Sequence, residues 1–192
     1  MKVINILGSP RKKGTSARIA EAFTDSVAKH GAEVEHFYLN GLMYRGCQGC
    51  EICHSKKDHC ILEDDLTPVL EAMRTADVTV FSSPVYYSDI SGQFKTFFDR
   101  TYSLLDVNYE QETTISSRLP EGKTAIFILT QGDVEEKHTD IIERYRPFFD
   151  LHGYALKTIR AAALASGRPD EDVSVAQAEA ARMAENLMSI EK

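Results

Sequence analysis

Four cysteines within one short stretch are the densest group of reactive side chains in the sequence. They are spaced C-x2-C-x2-C-x6-C, at Cys47, Cys50, Cys53 and Cys60. In an intracellular chain, such a run is typical of metal or redox chemistry rather than of disulfide scaffolding. Three thiolates can surround one centre and the fourth can return after six residues, which suits either a [4Fe-4S] cluster or zinc. Spacing alone leaves a cluster, zinc and free thiols open, and His54 and His59 inside the loop are further residues of a kind that zinc binds.

A second group of chemically suited residues lies near the start of the chain. Residues 8–16 read GSPRKKGTS, so hydroxyls, cations and glycines crowd the point where a helix begins. Unpaired N–H groups and the positive end of the helix dipole favour an anion there, and the loop is predicted to hold a phosphate. The candidate residues are Ser9, Arg11, Lys13, Gly14, Thr15 and Ser16. A solvated basic turn capped by Thr15 or Ser16 is the plainer alternative.

Several common motifs are absent from the sequence. Lys13 stands five residues after Gly8 but is followed by Gly14, so the loop lacks the Walker A spacing, and it also lacks the three-glycine dinucleotide fingerprint. The sequence contains no G-x-S-x-G element, and its six histidines show no triad-like grouping. ATPase, Rossmann-type and hydrolase functions are therefore poorly supported.

Two later loops offer surfaces for a planar ring. Residues 82–92 read SSPVYYSDISG and residues 130–133 read TQGD. Adjacent aromatics with nearby backbone amides suit stacking, although Tyr86 or Tyr87 can equally well cover the end of the sheet. Gly132 permits close backbone approach to a ligand, although an ordinary turn explains it nearly as well. The candidate residues are Pro84, Val85, Tyr86, Tyr87, Ser88, Gln131 and Gly132.

The segments between these loops are predicted to form alternating strands and helices. Apolar runs rich in Val, Ile and Phe predict strands at Val3–Leu7, Glu33–Leu39, Val78–Ser82, Thr124–Leu129 and Ala155–Ile159. Helical spacing predicts helices at Ser16–Lys29, Leu66–Met73, Ser91–Leu105, Glu135–Leu151 and Val173–Met188. Pro84 is expected to end the third strand. The last helix places Ala176, Ala180, Met183 and Leu187 on one face, which is expected to be buried.

This alternation indicates an α/β class with a doubly wound parallel five-stranded sheet between two helical layers, in the strand order 2-1-3-4-5. Ligands of such sheets bind at the carboxyl ends of the strands beside the switch point, where the three loops above lie. One domain over residues 1–192 is expected, because domains typically run to about 100–200 residues. It would carry a cysteine-rich loop at about 46–61 and a polar excursion loop at about 106–122.

Other charged groups are interpreted as structural. Glu63, Asp64 and Asp65 resemble a paired-carboxylate site, but acids at a helix start are expected from the dipole alone, and Asp64 or Asp65 is assigned as a cap. Lys95 and Asp99 are four residues apart and are expected to pair on one helical face. Together with Arg100, they are expected to support the loop at residues 82–92 or a subunit contact.

The composition of the chain argues against further classes of protein. The chain has 192 residues, 22 Lys and Arg against 29 Asp and Glu, and a net charge of −7, so no positive field draws nucleic acid. No run approaches the roughly 18 apolar residues that span a bilayer, and no signal segment precedes the first strand. A cytoplasmic protein with neither a membrane nor a nucleic-acid partner is expected.

Several motifs occur together in the order typical of one family. They are Gly8-Ser9-Pro10-Arg11 with Gly14-Thr15-Ser16, Cys47 to Cys53 with Cys60 and Asp64-Asp65, Ser83-Pro84-Val85-Tyr86, and Ser91-Gly92 through Lys95 to Asp99-Arg100. The sequence thereby resembles the flavodoxin-like NAD(P)H-dependent FMN reductases, close to the iron-sulfur flavoprotein branch, over most of its length. A departure is Thr15, where the family often has asparagine, and its hydroxyl can still serve a phosphate.

The resemblance implies a site. Ser9, Arg11, Thr15 and Ser16 would hold the FMN phosphate, and Pro84 to Tyr87 would line the isoalloxazine ring, with Gln131 and Gly132 on its far side. Backbone amides up to Ser88 would tune the flavin, and no catalytic acid or base is named. The cysteines would hold a cluster in some relatives and no metal in others.

The resemblance also implies a reaction. FMN would take a hydride from NAD(P)H and pass electrons to a small-molecule or protein acceptor, which makes the chain an oxidoreductase. An iron-sulfur flavoprotein that carries electrons between a [4Fe-4S] cluster, FMN and a protein partner is the alternative. An interaction domain with structural zinc is a third. A homodimer or homotetramer is expected, because long ordered loops usually act in binding and related flavin sites often lie near a subunit contact.

Overall fold

The computed structural model describes residues 1–109, 113–164 and 170–190. The strands are β1 (Lys2–Leu7), β2 (Glu33–Tyr38), β3 (Val78–Tyr86), β4 (Asp89–Ile90), β5 (Leu105–Asn108), β6 (Thr114–Ser117), β7 (Thr124–Thr130) and β8 (Ala155–Ala161). The helices are α1 (Thr15–Lys29), α2 (Ile52–Ser55), α3 (Thr67–Thr75), α4 (Gly92–Arg100), α5 (Asp140–Leu151) and α6 (Ser174–Ile190). Short 3₁₀ helices follow β2 and α4, at Leu39–Gly41 and Thr101–Leu104.

Parallel strands form the central sheet in the order β2-β1-β3-β7-β8. This is the predicted order 2-1-3-4-5, because β7 and β8 are the fourth and fifth parallel strands along the chain. β4 pairs antiparallel with the end of β3, and β5 and β6 form a separate two-stranded sheet. The α/β class and the flavodoxin-like order are confirmed, and the structure has more strands than the predicted five.

Each face of the sheet is covered by its own helices, because alternate residues of a strand point to opposite faces. Val80 and Ile126 belong to the apolar cluster of α1 and α6. Phe81 and Phe127 belong to the cluster of α3, α4 and α5. The second cluster is rich in aromatic rings, and Phe127 lies 5.2 Å from Phe149 of α5 between ring centroids. The predicted three layers are therefore present.

The third strand runs past Pro84, so the prediction that this proline ends it is wrong. Pro84 stays in parallel register with Thr130, and the strand continues to Tyr86. It then turns back into β4, where Val85 pairs with Ile90. A proline lacks only its own N–H donor, and pairing beyond it uses other residues, so the ladder resumes.

The predicted excursion loop at 106–122 is largely a hairpin. β5 and β6 pair antiparallel from Leu105 opposite Ser117 to Asn108 opposite Thr114, and residues 110–112 lie outside the described part. Val107 and Leu119 are buried and tie the hairpin to the core. The apolar alternation of β5 covers only four residues, too few to stand out within a polar stretch.

Two helix boundaries, the end of α4 and the start of α5, each differ from the predictions by five residues, and the other boundaries differ by at most two. α4 ends at Arg100 and passes into a 3₁₀ turn, and α5 begins at Asp140 rather than Glu135. In the expected stripe of α6, Ala176 and Ala180 are buried, whereas Met183 and Leu187 are half-buried against the core. In the described ranges, no helix is long and apolar enough to cross a membrane.

Candidate functional site

The loops that follow β1, β3 and β7 meet at the carboxyl edge of the sheet, where a doubly wound fold binds its ligands. They enclose a cavity of about 180 Å³. Its lining comes from these loops and from the segment after β8: Ser9, Arg11, Thr15, Ser16, Pro84, Val85, Tyr86, Thr130, Gln131, Gly132 and Leu164. The structure thus brings together residues that lie more than 100 positions apart in the sequence.

The β1–α1 loop presents an uncapped helix start to this cavity. The N-cap is Gly14 in an extended conformation, and no side chain in the described part caps the helix, so capping by Thr15 or Ser16 is wrong. Ser9 accepts a hydrogen bond at Oγ from the Arg11 backbone N at 3.1 Å. Backbone N–H groups of a first helical turn have no intrahelical acceptor. Together with the Arg11 charge, they make this end of the cavity suited to an anion.

The three cations of the loop take different places. Arg11 lines the cavity, Lys12 stands over the Tyr38 ring at 4.8 Å from Nζ to the centroid, and Lys13 is exposed. Lys13 and Gly14, both predicted to bind cofactor, are absent from the described lining of the cavity. The sequence could not separate these cations, because which neighbour each cation meets depends on how the strand and helix pack.

The β3–β4 hairpin supplies a partly exposed aromatic edge to the cavity. Pro84, Val85 and Tyr86 line it, and Tyr86 is 39% exposed. Tyr87 and Ser88 form the turn itself, with φ of 51° and 63°. Two consecutive left-handed residues characterise a type I′ turn, which points both side chains away from the strand. Tyr87 is fully exposed, and neither turn residue lines the described cavity.

This turn is held by α5. The Asp89 carboxylate accepts a hydrogen bond from Tyr145 Oη at 3.0 Å and from Arg144 at 3.1 Å. Arg144 also donates to the Ser88 carbonyl at 3.0 Å. Burial and the Asp89 carboxylate raise the pKa of Tyr145, so its phenol stays a donor at neutral pH. The left-handed turn is thereby supported by contacts outside the hairpin.

Gln131 organises the third loop through its side chain. Its Nε2 donates to the carbonyls of Val134 at 2.8 Å and Lys137 at 3.0 Å, and its Oε1 accepts from Arg160 at 3.3 Å. These bonds fix residues 133–137 as a loop, which is why α5 starts later than its predicted boundary. Gln131 therefore lines the cavity with an amide already engaged by protein groups.

Two lining residues were not among the predicted site residues. Thr130 ends β7, and its hydroxyl lies 2.6 Å from Ser16 Oγ in a buried pair that joins the third loop to the first. Leu164 follows β8, and its carbonyl would lie 3.2 Å from a Cβ added at Gly132. A hydroxyl at the end of a strand beside the switch point was a usable signal for Thr130. For Leu164 the sequence carries no signal, because the approach of β8 is tertiary.

The cysteine loop forms a separate region on the side of α4. All four cysteines line one cavity of about 80 Å³, with Cys47 and Cys50 exposed and Cys53 and Cys60 half-buried. Burial, and next the neighbouring Cys60 and Cys50 thiols, raise the pKa of Cys53. A raised pKa keeps this thiol protonated at neutral pH, so any metal bound there must displace a proton.

The cysteines and histidines of the loop are residue types that bind metals, but their side chains are not arranged as a ligand shell in the described structure. In the described part of the chain, no three His, Cys, Asp or Glu side chains are arranged to hold a metal ion. His54 packs edge-on against Tyr102 at 4.4 Å, and burial lowers its pKa. His59 hydrogen-bonds Asp58 at 2.8 Å. The two histidines thus face different neighbours.

Neither Asp64 nor Asp65 is the N-cap of α3, so that prediction is wrong, although Asp64 Oδ1 accepts from the backbone N of Leu66, two residues on, at 3.1 Å. The N-cap of α3 is Leu66, and no side chain among the described residues caps it. Asp64 instead pairs with the buried guanidinium of Arg100 at 2.8 Å. Burial of Asp64 raises its pKa, but hydrogen bonds from Arg100 and two backbone amides outweigh this and lower it. Asp65 accepts from the Met43 amide at 2.7 Å.

Burial lowers the pKa of the Arg100 guanidinium. Its contacts with Asp64 and Cys60 outweigh this effect and raise that pKa above the ordinary value. The neighbouring Lys95–Asp99 pair on the same helix is exposed and closes at 2.5 Å, which confirms their pairing on one helical face. α4 thus carries one surface ion pair and one buried pair, and Arg100 supports the cysteine loop rather than the loop at residues 82–92 as predicted.

Comparison with known families and sequences gives a consistent result. Residues 1–167 match the family described as NADPH-dependent FMN reductase. An iron-sulfur flavoprotein of Methanocaldococcus jannaschii is 37% identical over 133 residues, 69% of this chain and 63% of that protein. One from Archaeoglobus fulgidus is 35% identical over 100 residues, 52% of this chain and 45% of that protein. The chain therefore covers about half to two thirds of these relatives.

Solved structures share the fold. NAD(P)H:quinone oxidoreductase from Methanothermobacter marburgensis superposes with a TM-score of 0.75 at 23% identity, covering 97% of this chain and 98% of that one. An FMN-dependent NADH-azoreductase from Bacillus anthracis, solved in complex with FMN, gives 0.73 at 16% identity, covering 98% and 100%. At these identities the likeness establishes the architecture alone.

Proposed function

This chain belongs to the NADPH-dependent FMN reductase family, and we propose that it is an FMN-dependent oxidoreductase that takes a hydride from NAD(P)H and reduces a second acceptor. The observation that carries the proposal is the cavity at the carboxyl edge of the sheet, with an uncapped helix start at one end and an aromatic edge at the other. These are the two halves of a site for a phosphate joined to a planar ring.

The residues present fit FMN. Ser9, Thr15 and Ser16 are buried and carry hydroxyls at the helix start, and the Arg11 charge lines the same end. They would hold the phosphate, while Pro84, Val85 and Tyr86 would contact the ring, with Gln131 and Gly132 opposite. Lys13, Gly14, Tyr87 and Ser88 stay secondary proposals, since they stand outside the described lining.

FMN, when bound, supplies the redox chemistry of a ring that exchanges hydride with nicotinamides. The chain's own contribution is position and polarity. Donors engaged with protein, such as the Gln131 amide, keep the loop rigid, and the partly exposed Tyr86 leaves one side of the cavity open to a second reactant. No side chain is assigned to move a proton.

Anaerobic mixing of the FMN-loaded protein with NADH or NADPH tests the proposal. Rapid loss of flavin absorbance with either nicotinamide is expected. A protein that binds no FMN in a titration, or whose bound flavin is not bleached by either reagent, contradicts it.

The second candidate function is an electron carrier that uses a [4Fe-4S] cluster together with FMN and a protein partner. It is favoured by the four cysteines around one cavity, which would supply the thiolates of a cluster. Anaerobic purification and iron analysis separate the candidates. About four irons per chain support the carrier, and background iron after attempted reconstitution leaves the reductase alone.

We further propose a homodimer or homotetramer in the cytoplasm, with a small-molecule or protein acceptor and without nucleic-acid or membrane partners. Phe148 and Leu151 of α5 are exposed apolar side chains that a second copy would cover, and four free cysteines suit a reducing compartment. Light scattering that shows a monomer at every concentration, with FMN bound, contradicts the oligomer.

A further inference from the structure

The cysteine loop is held in place by guanidinium groups from other elements. Apart from α2, its described residues form no helix or strand between Gly46 and Ile61. Arg74 donates to the Asp58 carbonyl at 2.6 Å, and Arg118 donates to the Cys53 carbonyl at 2.7 Å. A segment with little internal backbone pairing depends on such external donors for its shape.

Arg100 differs from these two arginines because it bonds both ends of the loop. Its side chain is fully buried. Its Nη1 donates to the Arg45 carbonyl at 2.8 Å, and its Nη2 donates to the Leu62 carbonyl at 3.1 Å. Arg45 precedes the first cysteine and Leu62 follows the last, so one guanidinium closes the whole cysteine segment.

Asp64 completes the closure. Its two carboxylate oxygens accept from Arg100 at 2.8 and 3.3 Å, and one of them also accepts from the Arg45 backbone N at 3.2 Å. The planar fork of a guanidinium can serve these acceptors at once, whereas the point charge of a lysine cannot. Arg100 also lines the cavity that the four cysteines share.

We propose that Arg100 is the positioning residue of the four-cysteine loop, holding its two ends together so that the thiols face one cavity. A role of Arg100 in metal binding rests on the second candidate function, in which the cysteines hold a metal centre. The closure of the loop by Arg100 does not depend on that function.

The test compares three variants with the wild-type protein. Arg100→Lys keeps the charge and loses the fork. The double variant Arg100→Met with Asp64→Leu removes both charges together, so that neither is left buried without its partner. Lys95→Met is the matched control, since Lys95 lies on α4 and pairs with Asp99 at the surface. FMN affinity and circular dichroism verify that each variant is folded.

Two measurements report on the loop. Limited trypsin digestion, followed by mass spectrometry, gives the cleavage rate at Lys56 and Lys57, which lie in the loop. Anaerobic titration with Co²⁺ alone gives the thiolate-to-cobalt absorption for each bound ion, a signature that overall stability does not change. The double variant is expected to be cleaved about tenfold faster, because an untied loop opens locally more often. Its cobalt absorption should be lost, with partial rescue in Arg100→Lys.

Each outcome decides the proposal. Folded variants that match wild type in cleavage rate and in cobalt spectrum overturn it, and so does a control that changes as much as the double variant. If wild type binds neither Co²⁺ nor iron, the second candidate function fails. The cleavage rates then still decide whether Arg100 closes the loop.

Discussion

The cavity at the carboxyl edge of the sheet and the cysteine loop beside α4 are built in opposite ways. The first takes its shape from strand ends whose register the sheet fixes, such as Ser82 opposite Leu7 and Thr130 opposite Pro84. The second is mostly irregular backbone, and its carbonyls are held by arginines from α3, α4 and the segment after β6. A site on strand ends is preorganised by the fold, whereas a site on a loop is preorganised by individual side chains.

This difference implies that single side-chain changes should affect one region and spare the other, unless they act on α4, which borders both. α4 begins beside the cavity, where the Ser91 hydroxyl donates to the Gly8 carbonyl at 2.6 Å. It ends at Arg100 in the cysteine loop. The predictions below test that separation, beginning with the largest expected effect.

Gly8→Ala should disturb both regions. A Cβ at Gly8 would lie 2.6 Å from Phe94 Cβ, so α4 must shift. Overpacking of this kind typically costs up to about 3 kcal/mol, and denaturant unfolding should show a loss of that size together with weaker FMN binding. Gly92→Ala is the control, because nothing lies within 4 Å of its added Cβ. Equal stability of the two variants would contradict the prediction.

Arg11→Ala should weaken FMN and leave the cysteine loop unchanged. Loss of a charge-assisted hydrogen bond typically costs about 1.5 to 3 kcal/mol, so the dissociation constant in a flavin titration should rise at least about tenfold. Lys13→Ala, which removes an exposed cation of the same loop, should have a much smaller effect. Unchanged FMN affinity in Arg11→Ala would remove Arg11 from the proposed phosphate site.

Asp64→Asn should destabilise the protein near the cysteine loop in a pH-dependent way. Because the folded pKa of Asp64 is lowered, its contribution is present above the ordinary carboxyl pKa and is lost as the pH falls through the lowered value. At pH 7 the variant should lose about 1.5 kcal/mol of unfolding free energy. The gap to wild type should narrow in acid, and a gap independent of pH from 7 to 3 would refute the assignment.

Asp99→Asn should have the smallest effect. The Lys95–Asp99 pair is exposed on both sides, and pairs of this spacing contribute only about 0.3 to 0.5 kcal/mol. Thermal unfolding should shift by about a degree or two, and less at high salt. A loss as large as that of Asp64→Asn would mean that the surface pair and the buried pair do not differ as the structure indicates.

Much of the architecture was predictable because it follows from local patterns. The succession of strands and helices came from hydrophobic period, and the strand order came from the doubly wound topology that this succession indicates. The errors have separate causes. Pro84 inside β3 depends on a partner distant in sequence, Thr130, whereas the β5–β6 hairpin and the late start of α5 at Asp140 rest on short local segments and side-chain bonds that the hydrophobic period does not report. Their local signals were weak or pointed the other way.

The sequence by itself determined the α/β class, the strand order, and the segments that carry the hydroxyl- and cation-rich loop after β1 and the cysteines, since period and residue type decide these locally. Tertiary structure alone decided that Thr130 and Leu164 join the cavity, that Tyr87 points to solvent, and that Asp64 pairs with Arg100 rather than capping a helix. The physical reason is that packing of the core brings together segments that are far apart in the sequence. A buried charge such as that of Arg100 is stable only beside a partner, and packing decides which residue that partner is.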